Sequence, residues 1–112
     1  MWQSWIDAWN RHDLDAILDH YSDHVEFSSR AVVELGIHRT GTVVGKPALR
    51  ELFATGLQTD PALCFTPLHA FDGVGEYALY YIGFLRRPVI EVHALDARAK
   101  IARARAYHGL AT

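Results

Sequence analysis

Glu91 and His93 are the residues of this sequence best suited to chemistry. They lie two positions apart in residues 89–95, a run that otherwise has the composition of a buried strand. Side chains at positions i and i+2 of a strand project from one face, so a carboxyl group and an imidazole would lie side by side. Both groups can exchange protons near neutral pH. The spacing therefore predicts an acid–base pair wherever this face of the strand is enclosed.

The pattern of the strand does not show whether the side chains of Glu91 and His93 point into the core or into solvent. The intervening residues are apolar, and in a sheet with one wet face they would fill the core. They are Ile90, Val92 and Ala94. From the pattern alone we favour this arrangement, in which Glu91 and His93 point into water. Residues 101–107 pose the same question, because alanines alternate there with two arginines and a tyrosine.

Helical periodicity dominates the first part of the chain. An aromatic stripe at 3.6-residue spacing predicts a first helix, and it comprises Trp2, Trp5, Ile6 and Trp9. Asp13 is suited to cap a second helix, whose apolar stripe continues to Tyr21. Pro47 suits the first turn of a third helix, which Asp60 and Pro61 end.

Strand patterns fill the remaining segments. Residues 25–44 predict a β-hairpin whose first strand runs to Leu35, with a loose tip at residues 37–40. Four further strands are predicted at residues 63–71, 77–85, 89–96 and 101–107. This order indicates one α+β domain over residues 1–112, with a curved, mostly antiparallel sheet wrapped over three helices. Such a sheet would leave a pocket between its concave face and the helices.

Composition narrows the classes of function. The chain has 112 residues, including 3 Trp, 5 Tyr and 5 Phe that could line a cavity, and a net charge of -2. That charge gives no electrostatic case for a nucleic-acid partner. No long apolar run or secretion signal is present, so we expect no membrane partner and a cytoplasmic location. Cys64 is the single cysteine, which rules out an intrachain disulfide, and we expect it in the core.

Metal binding is the remaining chemistry that the histidines suggest. His20 and His24 have the i, i+4 spacing of two ligands on a helix. The intervening Ser22 and Asp23 instead indicate the end of a helix, which would separate the two imidazoles. We therefore expect neither a metal ion nor another cofactor.

Four segments of the chain resemble the nuclear transport factor 2-like superfamily, and within it the SnoaL-like proteins. They are the opening Trp5-Ile6-Asp7-Ala8-Trp9 with its continuation to Ile17, then residues 21–27, Gly45-Lys46-Pro47-Ala48-Leu49-Arg50, and residues 100–107. The resemblance covers nearly the whole chain. It implies a cone-shaped α+β barrel with an internal pocket for a small hydrophobic ligand. It also implies a homodimer packed through the outer face of the sheet.

The resemblance changes the expected direction of the pair. Steroid isomerases of this superfamily carry on the matching strand an acid that hydrogen-bonds the developing oxyanion, and Glu91 falls on its position. With the resemblance we expect Glu91 and His93 to face inward as the catalytic pair. Ala104, Ala106 and His108 would face the same cavity from the last strand. An outer sheet face that is a subunit interface can be apolar, which accounts for the alternate residues.

Departures from the isomerase pattern limit the activity that the resemblance implies. Ser29 stands where the isomerases have an aspartate as general base, and it lacks useful basicity. Trp5 and Phe53 stand where they have pocket tyrosines. We therefore expect no steroid isomerisation by that mechanism.

Three functions remain open on this sequence. The favoured one is binding of an apolar ligand that contains a ring or a carbonyl group. The second is an isomerase, lyase or cyclase that uses Glu91 and His93 as its acid–base pair, and the third is a non-catalytic dimeric association module. Fold analogy does not choose among them. The expected ligand-contacting residues are Trp5, Trp9, Tyr21, Ser29, Phe53, Tyr80, Ala104 and His108.

Overall fold

A computed structural model describes residues 2–110 of the chain. The helices are α1 (Trp2–Asn10), α2 (Leu14–Leu18), α3 (Arg30–Glu34) and α4 (Lys46–Thr59). The strands are β1 (Tyr21–Ser28), β2 (Thr42–Val44), β3 (Thr66–Asp72), β4 (Glu76–Ile82), β5 (Pro88–Leu95) and β6 (Ile101–His108). A short 3₁₀ turn, Phe84–Arg86, lies between β4 and β5.

The strands form one mixed sheet in the order β2-β1-β6-β5-β4-β3. β1 and β6 pair in parallel, and the other neighbours are antiparallel. The predicted α+β class with a mostly antiparallel sheet is confirmed. The sheet is not closed, because β2 and β3 lie at opposite ends of this order, so the barrel that the resemblance implied is an open curved sheet.

Local sequence signals explain where the helices begin and which side they bury. Asp13 caps α2 by accepting a hydrogen bond from the backbone N–H of Ala16 at 3.1 Å. Gly45 precedes α4 with a φ of 89°, a conformation that favours glycine, and Pro47 occupies its first turn. The stripe predicted for α1 is buried at Trp5, Ile6 and Trp9.

α1 packs its aromatic stripe against the inner face of the sheet. The rings of Trp5 and His93 have centroids 4.9 Å apart, and Trp5 also contacts Tyr81 on β4 at 5.7 Å. Phe53 of α4 contacts Trp9 at 4.7 Å. The core of the molecule therefore lies between these helices and the face of the sheet that carries His93.

The segment between β1 and β2 differs from the predicted hairpin. β1 ends at Ser28, and Ser29 caps the short helix α3 by accepting a hydrogen bond from the backbone of Ala31 at 3.1 Å. The chain then returns as β2, which pairs with β1 in the antiparallel register that a hairpin would give. The β-branched pair Val32 and Val33 favoured a strand, but the Ser29 cap determines the local conformation.

Two smaller expectations are also wrong. Tyr21 begins β1 and does not end α2, because α2 stops at Leu18. Cys64 is exposed and not part of the core. None of the described helices is long and apolar enough to cross a membrane.

Candidate active site

Glu91 and His93 face the interior, on the side of β5 that the helices cover. Their exposed fractions are 2% and 0%, whereas Ile90 on the other face is 48% exposed. The inward direction expected from the resemblance is confirmed, and the solvent-facing arrangement favoured by the pattern is wrong. The pattern failed because the apolar residues Ile90, Val92 and Ala94 lie on the outer face of the sheet. An apolar face of β5 therefore does not identify the side that packs against the core.

The two side chains form the centre of a hydrogen-bonded chain. Glu91 Oε2 and His93 Nε2 are 2.7 Å apart, and the Tyr81 hydroxyl donates to Glu91 Oε1 at 2.6 Å. His93 Nδ1 lies 2.9 Å from the Tyr77 hydroxyl. Tyr77 is directly opposite His93 in the β4–β5 register, and Tyr81 is two positions beyond Leu79, the residue opposite Glu91. All four polar side chains therefore project from the inner face.

A cavity of about 70 Å³ lies between α1, α4 and this face. Aromatic and aliphatic side chains form most of its wall, among them Trp5, Trp9, Tyr21, Phe53, Phe65 and Phe84. Glu91 lines the cavity, whereas His93 is not among the lining residues and lies behind it. The space holds about five water molecules at roughly 10–15 Å³ each, which corresponds to roughly 150 Å³ of liquid and can hold a single aromatic ring.

Ala106 of β6 leaves room in front of the Glu91 carboxyl group. It is the cross-strand partner of Glu91, and His108 is two positions farther along the same inner face. Diagonal neighbours of this kind lie about 7–8 Å apart at their backbones, within reach of an imidazole and a long carboxylic side chain. A ligand beside Ala106 would therefore touch both Glu91 and His108.

His108 and Ser29 form a second polar group on the cavity wall. His108 Nε2 lies 3.1 Å from Ser29 Oγ, and Ser29 Oγ also accepts the Ala31 backbone N–H. Burial lowers the pKa of His108, and the positive charge of Arg87 lowers it further. His108 Nδ1 is buried without a hydrogen-bond partner in the part of the chain that the structure describes. The imidazole is therefore kept neutral and has one nitrogen to offer a ligand.

The tyrosines around Glu91 keep their protons. Burial and then the charge of Glu91 raise the pKa values of Tyr21, Tyr77 and Tyr81 above the ordinary value. Trp5 Nε1 donates to the Tyr21 hydroxyl at 2.9 Å. The Trp9 indole also acts to lower the pKa of Tyr21, but its Nε1 makes no hydrogen bond to the Tyr21 hydroxyl. Tyr21 is thus a neutral phenol in the cavity wall.

The cavity wall is partly exposed to solvent between α3 and the turn after β4, and we call this region the mouth. The lining residues there that keep partial solvent exposure include Ala31, Leu35 and Phe84. The carboxylate of Asp60 holds the turn in place, because it accepts the Leu85 backbone N–H at 2.9 Å and pairs with Arg86. Leu85 and Arg86 both have positive φ, at 56° and 61°, so this anchor supports a strained backbone.

The structure separates the expected ligand-contacting residues into two groups. Six of the eight line the cavity: Trp5, Trp9, Tyr21, Ser29, Phe53 and His108. Ala104 faces inward opposite His93 but is fully buried and does not line it. Tyr80 is a wrong assignment, because it lies on the outer face and is 38% exposed. A shift of one residue moves a side chain to the other face of a strand.

Tyr77 and Tyr81 were not among the site residues predicted from the sequence. Residues 78–82 of β4 are apolar or aromatic on both faces, so no alternation marks the inner side. The usable signal was the spacing of Tyr77, Leu79 and Tyr81, which share one face. Gly83 was missed as well: a Cβ at this position would lie 2.5 Å from Cε2 of Tyr81, so the ring position depends on glycine.

The histidines do not assemble a metal site. Within residues 2–110 no group of three or more His, Cys, Asp or Glu side chains is placed to hold an ion. His24 lies in β1 and His20 in the turn before it, so the spacing that suggested a helical ligand pair is lost.

Comparison with known proteins finds a matching family model and solved structures with a similar fold. The model of the SnoaL-like domain matches residues 2–84. A SnoaL-like protein of unknown function from Burkholderia thailandensis is 34% identical, with a TM-score of 0.90, over 96% of this chain and 90% of that chain. A search of proteins with curated function finds no match.

Two more distant structures share the fold. SalBIII, described as an epoxide hydrolase/cyclase-like enzyme with a role in pyran ring formation in the polyether salinomycin, is 19% identical. Its TM-score is 0.75, over 96% of this chain and 87% of that chain. Rv0760c from Mycobacterium tuberculosis, in complex with estradiol-17beta-hemisuccinate, is 17% identical. Its TM-score is 0.77, over 96% and 90% of the two chains. With the domain match over most of its length, this chain belongs to the SnoaL-like domain family.

Proposed function

We propose that this protein binds a small apolar ligand with an aromatic or alicyclic ring and a carbonyl group. The observation that carries the proposal is the Glu91 carboxyl group, 2% exposed, in the wall of a cavity that is otherwise mostly aromatic and aliphatic. Rings suit the aromatic wall, and a carbonyl oxygen suits a buried hydrogen-bond donor.

The hydrogen bonds around Glu91 favour donation into the cavity. Tyr81 donates to Oε1, and His93 Nε2 lies within hydrogen-bond distance of Oε2, so each carboxyl oxygen keeps one further lone pair. A proton on one of these remaining lone pairs would be free for a ligand oxygen. The unpartnered His108 Nδ1 supports a ligand with a second polar atom.

The ligands and reactions of distant relatives support the same class. Rv0760c holds a steroid ester, and SalBIII has a role in the formation of a pyran ring. Both compounds contain rings and oxygen atoms, which agrees with the composition of the cavity wall here.

Binding of acetophenone, a neutral single-ring ketone, tests the proposal against ethylbenzene, which has the ring without the oxygen. NMR titration of the wild-type protein should show tighter binding of acetophenone by about fivefold, the value of one hydrogen bond of about 1 kcal/mol. Glu91→Leu should remove the difference. Tyr80→Phe, a change on the outer face, should keep it. Equal affinities for the two compounds in the wild type would contradict the proposal.

The contact between Glu91 and His93 at 2.7 Å favours a second candidate, proton transfer on a carbonyl compound by an isomerase, lyase or cyclase. In this reaction the Glu91 carboxylate takes a proton from the carbon next to the carbonyl group. The C–H electron pair then forms the carbon–carbon double bond of an enolate, and the carbonyl π electrons move to oxygen.

Acetophenone has such protons on its methyl group, so it also tests the enzyme candidate. In deuterated water, catalysis would place deuterium in the methyl group faster than buffer alone, as measured by mass spectrometry. Glu91→Gln should abolish the incorporation while acetophenone still binds. Incorporation at the buffer rate by the wild type would leave ligand binding as the function.

A further inference from the structure

Tyr77 ends the hydrogen-bonded chain on the side away from the cavity. Its hydroxyl lies 2.9 Å from His93 Nδ1, and His93 Nε2 lies 2.7 Å from Glu91 Oε2. Glu91 and His93 are almost completely buried, whereas Tyr77 is half-buried and keeps contact with solvent. The hydrogen-bonded chain thus joins a partly exposed side chain to the buried carboxyl group.

The hydrogen-bonded chain contacts Glu91 on the side away from the cavity. Glu91 lines the cavity, and neither His93 nor Tyr77 does. A ligand in the cavity would cover Glu91 from the front and separate it from solvent at the mouth. The connection through His93 would remain intact, because it lies within the β4–β5 pair.

The donors and acceptors of the chain are compatible with proton movement. A neutral His93 with its hydrogen on Nε2 donates to the Glu91 carboxylate and accepts the Tyr77 hydroxyl hydrogen on Nδ1. Burial, and then the charge of Glu91, raise the pKa of Tyr77. Tyr77 must therefore gain one proton as it gives up another, and it does not act through a phenolate.

We propose that Tyr77, His93 and Glu91 form a proton relay that connects the cavity carboxyl group with solvent while the cavity is occupied. A solvent proton binds the Tyr77 oxygen as the phenolic hydrogen moves to His93 Nδ1, and the Nε2 hydrogen moves to Glu91 Oε2. One proton enters, the imidazole changes tautomer, and the reverse sequence returns the proton to solvent. The role of the relay in ligand binding or catalysis rests on the proposed function, whereas proton transfer along these three residues does not.

Other ionisable groups surround the relay without replacing it. Tyr21 on β1 and Tyr81 on β4 face Glu91 and keep their protons. The charge of Glu91 acts on His108 of β6, and burial lowers the pKa of His108. His20, before β1, lies near His93, and burial lowers its pKa as well. The direct hydrogen-bond partner of His93 Nδ1 is the Tyr77 hydroxyl.

Exchange of the His93 ring hydrogen with water tests the relay. In protein with ¹⁵N-labelled histidine, the exchange rate of the Nε2 hydrogen is measured by magnetisation transfer from water. Tyr77→Phe removes one hydroxyl and should slow the exchange by about 100-fold, the lower range of what a positioned proton-transfer group contributes. Tyr80→Phe, the matched change on the outer face of the same strand, should leave the rate unchanged. Equal rates in wild type and Tyr77→Phe would overturn the relay.

A second measurement needs no variant. If exchange proceeds through Tyr77, saturating acetophenone should leave the wild-type rate unchanged, and suppression by acetophenone would show that protons enter through the cavity. Should acetophenone fail to bind, the proposed ligand class is wrong, while the comparison of Tyr77→Phe with Tyr80→Phe still decides the relay.

Discussion

His108 combines two properties that make it sensitive to pH: it is partly buried, and it lies near the positive charge of Arg87. Both lower its pKa in the folded protein below the ordinary value of 6.5. Between the lowered pKa and about 6.5, the unfolded chain binds more protons than the folded one, so stability falls as pH is lowered through this range. Solvent reaches part of the ring, which reduces the size of the effect.

The stability of His108→Gln should therefore depend less on pH than that of the wild type. Urea unfolding at about pH 7.5 and about pH 5.5 measures the difference. His24→Gln, an exposed change in β1, serves as the control and should follow the wild type. An identical loss of stability in wild type and His108→Gln on acidification would contradict the assigned cause.

Residue identity could be predicted at this site better than residue direction. The spacing of Glu91 and His93 correctly placed them on one face, because the period of a strand is fixed. The sequence of β5 alone does not show which of its faces is enclosed, because the residues on its outer face are also apolar. The assignment of Tyr80 failed for a related reason: the run Leu79-Tyr80-Tyr81 has no polar residue to set the alternation.

At the scale of elements, the end of β4 is built around Gly83. A Cβ there would lie 2.5 Å from Cε2 and 3.1 Å from Cδ2 of Tyr81, so the ring would have to move away. Tyr81 would then lose its hydrogen bond to Glu91. Gly83→Ala should lower the free energy of unfolding by about 1–3 kcal/mol, the typical cost of overpacking.

Gly56→Ala is the matched control for this prediction. Gly56 lies within α4, and a Cβ there meets nothing within 4 Å. It should leave stability unchanged or raise it by about 0.4–1 kcal/mol, because alanine restricts the unfolded chain and favours the helix. Urea unfolding compares the two variants, and equal effects would show that the Tyr81 contact does not matter.

Most elements could be predicted because their periodicity is strong. The stripe of α1, the Asp13 cap and the four strands after α4 all appear close to their expected positions. The helix α3 could not, since five residues carry too little periodicity and its valines favour a strand. Ser29 was assigned to the first strand for this reason, yet its side chain still reaches the cavity from the start of α3.

For the whole molecule, the outer face of the sheet presents a row of large side chains in register. Tyr80, Ile90 and Tyr107 are paired across β4, β5 and β6, and they are 38%, 48% and 56% exposed. A continuous row of this kind is typical of a protein–protein contact. We expect a homodimer formed through this face.

Light scattering should report twice the mass of one chain for the wild type. Ile90→Lys places a charge in the centre of the row and should give a monomer, since a buried unpaired charge is costly. Val74→Lys, in the fully exposed turn between β3 and β4, should remain dimeric. A monomeric wild type, or a dimeric Ile90→Lys, would contradict this interface.

The aromatic wall of the cavity also gives the protein a built-in optical signal. Two of the three tryptophans, Trp5 and Trp9, line the cavity, and Trp5 lies edge to face with the His93 ring. Indole emission responds to the polarity around the ring, so entry of a compound should change its intensity or wavelength. Replacing Trp2 by phenylalanine would remove the emission from outside the cavity. Unlabelled protein could then be screened against ketone collections by fluorescence alone.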